Sequence, residues 1–508
     1  MSAAGQAVRA ARAPARGLGG WLWGLAAMAV LAPTLVVLAE QPPHAALWIA
    51  AGWLAVGSLA AMVLRPDWGA LLLILIVYWN ASDVLTENLG VSWLLRALLI
   101  WLVGCWLLSR LLAPRAPRLR WPLLAPLALY GAVLAVSGRL GSNWAYSWAD
   151  LKQYGKALVI FFLLVNLLRT PRRVRWGIYA LLAAVVLMAL PVIYQGLTGS
   201  SFTFWGFGGA QYESVAPHQM GWRLAGSMGD PNFFALALAA TLPLAAILFL
   251  DARQAWERAF AAAAAGAALL ATAFSYSRAS VFGIGFIFLA LVIGHRRRAW
   301  VVAAAVGGMA GLLLLMPPTF RARMLSLRQL SLTAPQQSIA SYSFRGRRSE
   351  LLAGLAMWRA HPWLGVGAGA YSSAYERYAA WVELDPRGEQ RDPHNLFLQV
   401  AAETGIVGLA AFLWLLLCAW RMLRRARDRL RRAGAGQLAN LTWGLELGLE
   451  TYLLLSVFLH GAYFRHFFIL LALAAAMAAA MAAAVAAMPV PGPALPGARA
   501  AEGGTGAA

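Results

Sequence analysis

The stretch RDPHNLFLQVAAETGIVGL, residues 391–409, decides how this chain is read. It opens with charge, a proline and a histidine, turns apolar within two residues, then carries one glutamate among alanines and glycines. Asp392 is a good N-cap and Pro393 fits the first helical position, so the sequence predicts a helix beginning there with His394 in its first turn. The positive end of a helix favours anions and lowers the pKa of a nearby histidine, which would leave His394 neutral and able to act as a base. Ala401, Ala402, Gly405 and Gly408 keep one side of the helix small, which permits close packing against a neighbour. Glu403 falls deep in the apolar run, where a carboxylate must find a partner. A plainer reading stands beside this one, in which His394 is an interfacial residue and Glu403 a structural hydrogen-bonding group.

Working outward, the chain has 508 residues, 61% of them hydrophobic and 12% charged, and its mean hydropathy is +0.65. That excludes a water-soluble globule and makes the chain a polytopic membrane protein, since a span needs about 20 mostly apolar residues. Candidate spans fall near 21–39, 44–63, 69–80, 91–108, 121–137, 153–168, 174–194, 232–250, 257–275, 280–294, 298–317, 396–420, 443–458 and 460–485. The fold class is therefore an all-α transmembrane bundle of about 12 to 14 spans. The segment at 69–80 is short and that at 153–168 is bounded by Lys152 and Arg169, so either is tilted, re-entrant or extended.

The net charge of +22 invites a nucleic-acid partner, but the arginines fall in short clusters between apolar runs and form no single basic face. Arg9, Arg12 and Arg16, then Arg110, Arg115, Arg118 and Arg120, then Arg169, Arg172, Arg173 and Arg175, then Arg296, Arg297 and Arg298, then RMLRRARDRLRR at 421–432 mark alternate loops. The positive-inside rule puts all of these, with the N-terminus, in the cytoplasm, and puts the loops at 138–152, 195–231, 276–280 and 318–395 on the opposite face. The expected organisation is a cytoplasmic tail at 1–20, helices over 21–317, a large outer loop at 318–395, further helices over 396–485 and a disordered Ala-, Pro- and Gly-rich tail at 486–508. The first apolar segment reads as a signal anchor. Cys105 and Cys418 both lie in apolar runs and point to neither a disulfide nor a metal site.

Within the outer loop, 349–360 has Leu351, Leu352, Leu355 and Trp358 at helical spacing among polar residues, so short amphipathic helices on the membrane surface are expected there. A long structured loop of this kind is a natural lid or substrate cleft. Two arginines on the outer face run against the positive-inside rule and need another cause. Arg223 precedes a helix start marked by Asp230 and Pro231, and Arg278 sits in a very short turn between two helices. Arginine matches phosphate oxygens bidentately and never deprotonates; the alternative for each is a helix-end carbonyl cap or an ion pair.

Taken together, these stretches resemble a known family. DPHNLFLQVAAETGIVGL is similar to the His-Asn motif opening the helix after the large periplasmic loop of the O-antigen ligase and polymerase superfamily. WRAHPWLGVGAGAY resembles its Pro-x-x-Gly-x-Gly segment, YSRASVFG its Ser-Arg turn, and RLAGSMGDPNFFA its Arg-containing approach to a middle helix. The resemblance covers roughly 220–485. It implies a metal-independent, inverting glycosyltransferase of the bacterial inner membrane, without cofactor, that moves a glycan from undecaprenyl pyrophosphate to an acceptor hydroxyl on the periplasmic face. His394 would be the catalytic histidine, Arg223 and Arg278 would hold the pyrophosphate, and Asn395, Glu403 and Arg465 are supporting candidates. The acceptor would be a glycolipid (lipopolysaccharide), a growing polysaccharide or a protein; a polymerase or a protein O-oligosaccharyltransferase needs the same donor chemistry. A lipid-linked glycan transporter is the rival class. It would place ionisable residues within central helices of both halves, whereas here they gather at the outer boundary.

Overall fold

A computed structural model describes residues 57–113, 117–216, 219–294, 339–381, 391–461 and 464–486, with scattered positions between 299 and 310. The expected span at 21–39, most of those at 44–63 and 298–317, the N-terminal tail, the first part of the 318–395 loop and the tail beyond 486 lie outside the described residues.

The chain is an all-α polytopic membrane protein. Among the described residues, six helices are long and apolar enough to cross a membrane: Leu94–Leu111, Pro171–Thr198, Pro231–Asp251, Ala255–Phe274, Leu396–Arg432 and Arg465–Ala483. The short segment near 69–80 becomes a bent pair, α1 (Pro66–Tyr78) and α2 (Ala81–Leu89), with 58° between them. Asn80 makes the bend by adopting the left-handed region at φ 59, which asparagine tolerates better than most residues. Next come α3 (Leu94–Leu111), α4 (Leu124–Leu140), α5 (Trp144–Leu167) and α6 (Pro171–Thr198), the last started by Thr170 as N-cap and Pro171 at the first helical position. A hairpin of β1 (Gly209–Ala216) and β2 (Gln219–Gly226) interrupts the helices, pairing Gln211 with Arg223 and Tyr212 with Trp222.

After the hairpin come α7 (Pro231–Ala239), α8 (Leu242–Asp251), α9 (Ala255–Phe274) and α10 (Arg278–Gly294). The outer-loop region supplies α11 (Ile339–Ala360) and α12 (Tyr371–Trp381), and the chain continues through α13 (Leu396–Arg432), α14 (Gly436–Leu455) and α15 (Arg465–Ala486). The last of these is the heart of the bundle. Of its apolar window, 83% is buried, against 33% for α3, because its run of alanines lets α1, α5, α6, α13 and α14 approach closely.

Helix α13 does not end before the basic run at 421–432 but carries it as a helical extension, about 55 Å in all at 1.5 Å per residue. Buried Glu446 of α14 holds that extension, with Arg424 Nε at 2.8 Å and Arg427 Nη1 at 2.6 Å. In α11 the stripe Leu351, Leu352, Leu355 and Trp358 stays exposed or half-buried. Ser349, Glu350, Ala353 and Met357 turn inward, the last two into a satellite core with Tyr371, Tyr375 and Tyr378 of α12, and Leu351 is exposed. Tyrosines bring hydroxyls as well as rings, so the inward face tolerates polar partners: Ser349 Oγ lies 2.7 Å from Tyr375 Oη.

Candidate active site

Helix α13 starts three residues later than Asp392 suggests. Asn395 is the N-cap, its side-chain oxygen accepting the Leu398 N–H at 2.9 Å, while the Leu396 N–H donates to the Ser456 carbonyl at 2.8 Å. Asparagine and aspartate cap equally well, and the bond to Ser456 selects the later start. His394 is thus not in the first turn of the helix. It stands just before the cap at φ 40, a left-handed conformation unfavourable for a residue with a Cβ. Asp392, released from capping, faces His460 with Oδ2 3.3 Å from Nε2.

Nearly three helical turns further, the small residues do different work from helix-to-helix packing. Gly405 breaks α13 at φ 65 and ψ −165, and the Pro-x-x-Gly-x-Gly segment threads its backbone into the gap. Val366 N–H donates to Ala402 O at 2.9 Å, Gly367 N–H to Glu403 O at 3.0 Å and Ile406 N–H to Pro362 O at 2.8 Å. A Cβ on Gly405 would lie 2.2 Å from the Trp363 carbonyl, and one on Gly365 2.2 Å from the Glu403 carbonyl carbon. Ser137 Oγ of α4 closes the junction at 2.7 and 2.8 Å from the carbonyls of Leu364 and Glu403. The loop and the broken helix are one unit, and that unit carries both α11 and His394.

Helix α11 points Glu350 at the histidine, Oε2 lying 3.9 Å from His394 Nε2. The other ring nitrogen, Nδ1, is buried and has no hydrogen-bond partner among the described residues. A carboxylate facing Nε2 favours the proton there and leaves a lone pair on Nδ1. The His460 ring packs edge-on at 5.5 Å. Burial first, then His460, Arg347 and Arg391, pushes the His394 pKa down to about 3, so the imidazole is neutral chiefly because it is desolvated. Burial also lowers the pKa of His460, against the pull of Asp392 and Asp230.

The arginines converge on the same place. The like charges acting on Arg278, at the start of α10, are Arg347 and Arg223, and Arg347 acts in turn on His394. Arg223 is 2% exposed. Its Nε donates to the Ser275 carbonyl at the end of α9 at 3.1 Å, and its Nη2 to Asn232 Oδ1 at 2.9 Å. Asn232 is held in the first turn of α7, where Asp230 caps through the Asn232 and Phe233 N–H groups as expected. Arg223 therefore takes the helix-end cap named as its alternative role. Arg347, Glu350 and Arg391 were not singled out from the sequence. An arginine three residues before His394, and another on a polar helix of the outer loop, were the available signals.

Of the supporting candidates, Asn395 acts as the cap. Glu403 is buried within α13, its Oε1 taking a bond from Gln399 Nε2 at 3.4 Å. Arg465 turns away from His394 and pairs with Asp83, with Ser82 Oγ at 3.2 Å.

The fold and this cluster define a multi-pass membrane protein with a buried, arginine-rich site at one end of its bundle. Residues 263–413 match the O-antigen ligase family model. The match supports the O-antigen ligase superfamily and, with it, a ligase- or polymerase-type membrane enzyme; it spans Arg278, Arg347, Glu350, Arg391, His394 and the Gly405 break, while Arg223 and Arg465 lie outside it. No curated protein matches the chain.

Proposed function

We propose that the protein transfers a glycan from a lipid pyrophosphate carrier, undecaprenyl pyrophosphate, to an acceptor hydroxyl at the periplasmic face of the bacterial inner membrane. The observation that carries this reading is the juxtaposition of a neutral histidine, one ring nitrogen unpartnered among the described residues, with Arg278, Arg347 and Arg391. A departing pyrophosphate needs charge stabilisation, which fixed guanidinium groups in a poorly hydrated site supply without reorganisation. Arg278 and Arg347 hold the phosphates; Arg223 fixes the α9–α10 turn that presents Arg278 and adds its charge.

The acceptor hydroxyl donates to His394 Nδ1, its oxygen attacks the anomeric carbon, and the carbon–phosphate oxygen bond breaks on the opposite face. The hydroxyl proton passes to Nδ1 and the bonding pair leaves with the pyrophosphate. Glu350, across the ring, steadies the Nε2–H tautomer and stabilises the imidazolium as it forms, as a buried carboxylate does behind a catalytic histidine elsewhere. One displacement inverts the anomeric centre and involves no covalent glycosyl-enzyme.

Purified protein given a lipid pyrophosphate-linked glycan and a panel of acceptor glycolipids, glycans and peptides tests this. Transfer with inversion, lost in His394→Ala while the donor still binds, is the expected result. Donor binding without transfer to any acceptor, alongside movement of donor across a vesicle bilayer, would favour transport instead.

A further inference from the structure

A second basic cleft shares no residue with the first. Its volume is about 260 Å³ and its walls are α2, α3, α5 and the first residue of α15. Among the described residues, three cations face it, Arg96, Lys156 and Arg465, and one carboxylate, Asp83. Arg465, whose side chain is 11% exposed, is tied to Asp83 and Ser82. Lys156 has no hydrogen bond or ion pair to any described residue; Arg465, Arg96 and Lys152 repel it, and only Asp83 attracts it. Ser82, Thr86, Ser92 and Gln153 complete a polar lining.

A half-buried lysine among like charges is costly unless an anion joins it. The cleft's volume is several times the ~30 Å³ share of one water, enough for a phosphate headgroup with solvent. Its apolar edge is Leu95 and Leu99 of α3, and the adjoining surface exposes Trp93, Ile100 and Trp101, side chains suited to lipid contact. His460 faces His394, and Arg465, five residues on, faces the cleft.

We infer that this cleft is a second phosphate site, taking the phosphate of a membrane lipid whose chains lie along α3. Phosphate, as opposed to carboxylate, matches three cations against one carboxylate and several hydroxyl and amide donors. The assignment stands independently of the reading of His394.

Native mass spectrometry of the full-length protein in detergent tests it, titrating dioleoyl phosphatidic acid against dioleoylglycerol with the same chains. Phosphatidic acid should bind at least about tenfold tighter than the neutral lipid, and the double variant Arg96→Gln, Lys156→Gln should lose about tenfold or more of that affinity while Arg425→Gln, at an exposed arginine on the α13 extension outside both sites, keeps it. Lys156→Met, which keeps the volume of the side chain and removes only its charge, should lose the larger part of that affinity if the double variant fails to fold. Equal binding of the two lipids, or unchanged phosphatidic acid affinity in the Lys156 variants, would overturn the site. Inorganic phosphate displacing phosphatidic acid at equal concentration would overturn the lipid as its source.

Discussion

His394 illustrates how a residue's chemistry is set by what surrounds it. Its pKa of about 3 keeps the imidazole neutral throughout the physiological range, so kcat/KM should show no histidine limb between about pH 5.5 and 7.5. A pyrophosphate bound by the arginines would cancel part of the field that depresses it, so the acid limb of kcat should lie at higher pH than that of kcat/KM; coincident limbs would place the histidine outside that field. The linkage to stability has a definite sign. The unfolded chain takes up this proton near pH 6.5 and the folded one near 3, so the neutral ring's contribution is complete above about pH 6.5 and is lost as pH falls toward 3. His394→Ala should lower transfer by roughly 10²–10⁴-fold, the usual worth of a positioned acid–base group, with donor affinity retained. Arg278→Ala should weaken donor binding by about 2 kcal/mol or more, some 30-fold, and lysine there should restore only part, having no bidentate fork. Arg223→Ala should in addition lower the melting temperature, because Ser275 and Asn232 lose their donor. Equal stability in the two alanine variants would contradict that division of labour.

At the scale of elements, the decisive feature is the exchange of backbone hydrogen bonds between the 361–370 segment and the break in α13. Gly405 adopts a combination of angles open almost only to glycine, and the Trp363 carbonyl leaves no room for a Cβ. Gly405→Ala should therefore destabilise the protein by about 2 kcal/mol or more, from backbone strain of about 1–3 kcal/mol plus overlap. Gly155→Ala, in the middle of α5 with nothing within 4 Å, should be neutral or stabilising by up to about 1 kcal/mol. Thermal unfolding of the purified variants in detergent checks both, and a Gly405 variant as stable as the parent would mean that the loop and helix are not interlocked.

At the scale of the whole molecule, the placement of charge implies a topology. The satellite core of α11 and α12 and the Arg-rich extension of α13 belong to opposite ends of the bundle, and the positive-inside rule assigns the extension to the cytoplasm. With Cys105 and Cys418 replaced, a single cysteine at exposed Glu376 should react with an impermeant maleimide in intact cells, and one at exposed Arg425 only after permeabilisation. The reverse pattern would invert the protein.

By itself the sequence determined the class of protein, because a chain this apolar has no other solvent than a bilayer, and it located the helix start at Asp230, whose cap is local, and the tight turn before α10. It also marked His394, Arg223 and Arg278, since charge beside apolar runs is conspicuous. The true cap at Asn395, the break at Gly405 and the partnership of Glu350 with His394 depend on Ser456, Trp363 and the rotation of α11, respectively. Each of these contacts joins residues distant in the chain, and no periodicity within a single helix encodes them. Arg465 shows the same limit in reverse: it is a supporting candidate in the sequence, but the turn into α15 directs it to Asp83 and a separate cleft.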